Sequence, residues 1–207
     1  MGKNSDAYVE LIKQINATGR EKMEGYNPKL LDEIYEWERE EAEKIIYKKF
    51  CENDIDLSVY FPKLKNYDGK KLLEDKLKVL NIPSGGSVLV AQTLYEMTKD
   101  EKYLDIIMQN IMQDPNNISY VSTLSYCCPS KKAYELLVQI YVNNENSTIR
   151  STAVTGILYN KGIINDPCDL QELMKTIDFG KKFLSDSAEE RRRVVALFEE
   201  DQAPEVL

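Results

Sequence analysis

The chain has 207 residues, 43% hydrophobic and 30% charged, with 27 basic against 35 acidic side chains and a net charge of −8. That balance suits a packed core, no apolar run approaches the ~20 residues of a membrane span, and the acidic excess argues against a phosphate-backbone binder. The absence of histidine removes the commonest general base, the serine and cysteine triads and most zinc sites.

Helical punctuation runs through the chain with almost no strand alternation. Ser5 is placed to cap a first helix carrying Tyr8, Leu11, Ile12 and Ile15. After a connector over 19–26, Asn27-Pro28 reads as a helix start, with proline at a position where its missing N–H is harmless. The predicted helix runs to about Phe50, with Leu31, Ile34, Tyr35, Ala42, Ile45, Ile46 and Phe50 on one face. A shorter helix is expected over 57–64, and Asp68-Gly69 opens another bearing Leu72, Leu73, Leu77 and Leu80.

Past the Pro83-Ser84-Gly85-Gly86 break come three segments of one design. Each has two amphipathic helices, joined near Thr98–Asp100, at Pro129-Ser130 and at Asp166-Pro167. Ala91-Gln92-Thr93-Leu94 aligns with Val121-Ser122-Thr123-Leu124 and with Ala153-Val154-Thr155-Gly156, at steps of 30 and 32 residues. The second helices carry Tyr103, Leu104, Ile107 and Ile111, then Tyr134, Leu137, Ile140 and Tyr141, then Leu170, Leu173, Met174 and Ile177. Periods of this size signal helical pairs that stack to bury a shared core. Glycine inside a helix costs about 1 kcal/mol relative to alanine. Gly156 is therefore expected where two helices approach closely. Ser187-x-x-Glu190 is a capping box for a last helix with Val194, Leu197 and Phe198.

The run from Asn144 through Ser147, Ile149-Arg150, Ala153 and Ile157-Leu158 to Gly162 resembles the HEAT-type repeat signature. The other two segments lack the arginine. The resemblance implies an all-α fold, a HEAT-like α-α superhelix of stacked hairpins, and an ion pair between Arg150 and an acid of a neighbouring turn. On this reading residues 1–207 form one helical-repeat domain. It has N-terminal helices over 1–54, about four hairpins over 55–186 and a capping helix over 187–207.

The densest charge run is DEIYEWEREEAEK, residues 32–44. Helical spacing groups Glu36, Glu40 and Glu43, while Glu38 and Glu41 interrupt the apolar stripe between Ile34 and Ile45. Three readings stay open. Two carboxylates at i, i+3 could hold a metal or exchange a proton. The run could be a solvated face with internal pairs such as Arg39 with Glu43. It could also be an acidic docking surface edged by Tyr35 and Trp37, the residue types that anchor interfaces. Candidate partner-binding residues are Tyr35, Glu36, Trp37, Glu40 and Glu41. No catalytic, cofactor or metal site is expected.

Cys51, Cys127, Cys128 and Cys168 match no zinc spacing and no C-x-x-C pair. With no apolar signal core in MGKNSDAY, reduced thiols in a cytoplasm are the expectation. Size, acidity, a degenerate repeat and the aromatic-acidic helix resemble the helical-repeat immunity proteins found beside bacterial toxins. That resemblance implies a non-enzymatic protein that binds and blocks a basic toxin domain, with no nucleic-acid or membrane partner. A general cytoplasmic scaffold or adaptor, and a HEAT-like nucleic-acid-acting enzyme, are the alternatives.

Overall fold

The computed structural model describes residues 3–22, 25–175, 177–185 and 187–201. The protein is all-α: thirteen α-helices, one 3-10 helix and no strand among the described residues. It forms two compact units, Met1–Lys99 and Asp100–Leu207. The division falls between the two helices read as the first aligned hairpin.

The first unit contains α1 (Asp6–Asn16), α2 (Gly19–Lys22), α3 (Leu30–Glu33), α4 (Glu36–Cys51), a 3-10 helix η1 (Ile55–Lys63), α5 (Gly69–Leu77) and α6 (Gly85–Thr98). Ser5 caps α1 as expected, its hydroxyl accepting from the Tyr8 N–H, and Tyr8, Leu11 and Ile15 are buried. Asp68 and Ser84 cap α5 and α6 in the same way. The core gathers Leu11, Leu31, Ile46, Phe50, Leu57 and Phe61, with the Phe50 and Phe61 rings 4.3 Å apart. Gly69 opens α5 directly against η1: a β-carbon there would stand 2.5 Å from the Phe61 carbonyl oxygen.

One expected element divides. The helix predicted from Asn27-Pro28 to Phe50 is broken at Ile34 and Tyr35, both in extended backbone, ψ 157° and 147°. The apolar spacing passes through the break unaltered, so periodicity could not reveal it. The segment predicted as a helix over 57–64 is η1.

The second unit contains α7 (Lys102–Gln113), α8 (Ile118–Ser125), α9 (Lys131–Asn143), α10 (Ser147–Asn160), α11 (Leu170–Lys175), α12 (Ile177–Lys182) and α13 (Ala188–Asp201). Helix α10 packs against both α8 and α9. Val121, Leu124, Ala153 and Gly156, all from the aligned quartets, are buried there. A β-carbon at Gly156 would meet Ser125 Cα and Leu137 Cδ1 at 2.8 Å each, so the expected close approach is present.

Two expectations fail in this unit. Leu170, Met174 and Ile177, read as the buried stripe of a repeat, are mainly exposed; α11 is only six residues long. Among the described residues Arg150 pairs with no acid. Its Nη1 donates to the carbonyls of Asn144 and Glu145, satisfying the turn before α10. The arginine that does bind an acid is Arg191, fully buried on α13. It donates to the Val142 carbonyl at 2.8 Å and to Glu145 at 2.9 Å, fastening α13 to the end of α9. The Ser187 hydroxyl accepts from the Glu190 N–H as predicted, while the Glu190 carboxylate accepts from Ser185.

Candidate docking ledge on helix α4

Helix α4 inverts the usual rule for an amphipathic helix. Its buried face holds Ala42, Ile46 and Phe50, but also Glu38, Arg39 and Glu43. Buried charges are costly unless paired or hydrogen-bonded: Arg39 and Glu43 pair with each other, and Glu38 accepts three hydrogen bonds.

Glu38 is the third residue of α4. One carboxylate oxygen accepts from the Ser5 N–H at 2.8 Å. The other accepts from the Ser5 hydroxyl at 2.6 Å and from the Tyr35 N–H at 2.9 Å. The last bond satisfies an N–H that opens the helix, the second half of a capping box. Burial pushes the Glu38 carboxyl up, but the bonds from Ser5 and Tyr35 favour the charged form and leave it below the ordinary glutamate value.

Arg39 Nε donates to Glu43 at 2.9 Å, and its other nitrogens donate to the carbonyls of Leu31, at 2.6 Å, and Lys63. Glu43 is wholly buried and also accepts from the N–H groups of Lys65 and Asn66 at 2.9 and 2.8 Å. The pair thus ties together the end of α3, the body of α4 and the chain leaving η1. The Arg39–Glu43 pairing anticipated at i, i+4 exists, but it is interior, where a solvated face was expected. Glu43 therefore does not share a surface with Glu36 and Glu40.

What these interior groups hold in place is the helix break, and the break places the aromatic side chains. In an uninterrupted helix, residues 35 and 37 would point about 200° apart. With Tyr35 extended and Trp37 in the first turn of α4, their rings stack at 6.1 Å between centroids and 26° between planes. Tyr35 is 53% and Trp37 59% exposed. Glu40 and Glu41 follow Trp37 by three and four residues, the spacing that shares a helix face, and both are exposed.

All five candidate residues, Tyr35, Glu36, Trp37, Glu40 and Glu41, are therefore at the surface. Glu36 contacts Lys65 at 3.4 Å, an exposed pair of small energetic weight. Glu41 lies beside the Tyr8 phenol, whose pKa is raised first by burial and then by Glu41 and Glu38. Among the described residues neither Glu33 nor Glu40 has an ion-pair partner. Among those residues, too, no group of three or more histidine, cysteine or acidic side chains is placed to hold a metal ion, and no helix is long and apolar enough to cross a membrane.

Sequence reasoning missed Ser5 and Arg39 as the supports of this ledge. A signal was present: Glu38 stood on the apolar stripe, where a carboxylate needs a partner. No family model, curated protein or solved structure matches the chain.

Proposed function

We propose that this chain is a non-enzymatic binding protein that docks a basic surface of a protein partner through the Tyr35–Trp37 ledge. The specific form of the proposal is a bacterial cytoplasmic immunity protein, HEAT-like in its hairpins, that inactivates a toxin domain by covering a cationic surface. One observation carries it. Two large aromatic faces, each more than half exposed, are held beside carboxylates by a buried network. Scattered exposed apolar residues are ordinary, but a stacked pair positioned by interior charges has a structural cost that burying the pair elsewhere would avoid. Aromatic anchors rimmed by charge are the usual makeup of an interface hot spot, and the net charge of −8 favours rapid encounter with a basic partner.

The experiment is capture of the partner by the wild-type chain, by Trp37→Ala and by a Glu40→Lys/Glu41→Lys variant, each checked for retained helicity. Loss of the captured protein with both folded variants supports the reading. For a toxin partner, co-expression of the wild-type chain restores growth and the variants do not. Capture indifferent to both variants rejects the ledge as the docking surface.

A further inference from the structure

We infer that the ledge receives an arginine side chain of the partner, laid flat on the outer face of the Trp37 indole with its fork turned toward the carboxylates of Glu40 and Glu41. This rests on the docking reading above and narrows it to one anchor chemistry.

Among the described residues, four other rings carry one of the chain's own lysines. Lys76 lies over Phe50, Lys99 over Tyr95, Lys102 over Tyr103 and Lys161 over Tyr134, at 5.6, 5.6, 4.7 and 4.3 Å from the ring centroids. Among the described residues neither Tyr35 nor Trp37 is covered in this way. Tryptophan is the strongest cation acceptor of the aromatic side chains, and it is among the rings left open. Its neighbours along the helix face are Glu40, without an ion-pair partner among the described residues, and Glu41. Lys44, the next cation on that face, pairs with neither.

The shape of the open ring face selects between cations. The Trp37 ring, stacked on Tyr35 with 26° between planes, turns one flat face away from it, and Glu40 and Glu41 follow three and four residues along the same helix face. A guanidinium is planar and weakly hydrated, stacks on aromatic faces and meets carboxylates through a rigid fork. An ammonium is a compact, strongly hydrated point charge with no plane to lay on that face.

Trp37 is the single tryptophan of the chain, so its emission reads the ledge directly. The full chain is titrated with acetylated, amidated GRGRG, with GKGKG and with the same peptide carrying citrulline for arginine, at ~0.15 M salt. GRGRG is expected to give a saturable emission change with a dissociation constant at least about threefold below that of GKGKG. The uncharged citrulline peptide gives none. Glu40→Gln/Glu41→Gln changes exposed residues only and is expected to weaken GRGRG by at least about threefold. Equal midpoints for the arginine and lysine peptides overturn the inference, as does a GRGRG titration indifferent to the double variant or one that never saturates. The two readings separate. Partner capture lost in Trp37→Ala while both peptides titrate alike retains docking and overturns the arginine anchor. Peptide binding as stated, with capture indifferent to Trp37, retains the anchor and removes the docking claim.

Discussion

Gly156 on α10 lies against Ser125 on α8 so closely that a β-carbon at 156 would stand 2.8 Å from Ser125 Cα and 2.9 Å from its Cβ. The Ser125 hydroxyl lies within hydrogen-bond reach of the Thr152 carbonyl, at 3.0 Å, across the same crossing. Gly156→Ala gains about 1 kcal/mol in helix propensity. It also forces two backbones apart, and no rotamer change relieves an overlap with an α-carbon. Overpacking of this kind costs about 1–3 kcal/mol. The expected net result is a lower midpoint in urea unfolding; an unchanged or raised midpoint would show that α8 and α10 can separate freely.

The pH dependence of stability should carry the signature of Glu38. Its folded-state pKa lies below the ordinary value of 4.5, so the folded state binds its proton less readily than the unfolded chain. The stabilisation is fully present above the unfolded value. It is lost as pH falls through the folded value. Glu38→Gln removes that titration. Wild type and variant are therefore expected to differ most near neutral pH and to converge as the pH falls below the carboxylate range, measured by urea midpoints at each pH. A constant gap down to acid pH contradicts the assignment.

Arg191→Leu should destabilise the protein although its neighbours Arg192 and Arg193 are exposed. Arg191 is 0% exposed, and its acceptors include the Val142 carbonyl and Glu145. Hydrogen bonds to a charged group contribute about 1.5–3 kcal/mol each, and the abandoned Val142 carbonyl adds a desolvation cost. We expect a loss of at least about 2 kcal/mol, against changes within about 0.5 kcal/mol for Arg192→Leu. Denaturant unfolding of the two variants side by side tests the contrast.

Ser58 offers a change of the opposite sign. Its hydroxyl on η1 is buried and has no hydrogen-bond partner among the described residues. Ser58→Ala removes a desolvated polar group and leaves only a small void, so stability is expected to hold or to rise by up to about 1 kcal/mol. A loss measured by thermal or urea unfolding would reveal a bond made by that hydroxyl in solution.

Local chemistry was legible in the sequence wherever a residue acts on its near neighbours. Ser5 and Asp68 cap the helices they were read to open, and Ser84 and Ser130, read as part of a break and of a joint, cap α6 and α9. Gly156 was legible too, because alignment with Leu94 and Leu124 put a missing side chain at a repeated crossing. The break at Ile34–Tyr35 was not. It depends on a serine 33 residues away bonding to Glu38, and apolar periodicity cannot register a partner so distant. Arg191 is hidden by its neighbours: nothing in three consecutive arginines distinguishes one from another, and only the packing of α13 singles out the first. The stripe at Leu170, Met174 and Ile177 misled in the other direction, since helical spacing says which residues share a face but not whether anything covers it. At the candidate site the letters of the ledge were readable and their supports were not.

Helix α4 thus keeps its scaffold and its candidate docking surface in one stretch of sequence, interleaved residue by residue. Glu38, Arg39 and Glu43 face inward, where a replacement orphans buried hydrogen-bond partners. Trp37, Glu40 and Glu41 face outward, where replacements leave the backbone untouched. On the proposed docking role, descendants of such a chain are free to exchange the outward letters as an opponent changes, while inheriting the same foundation.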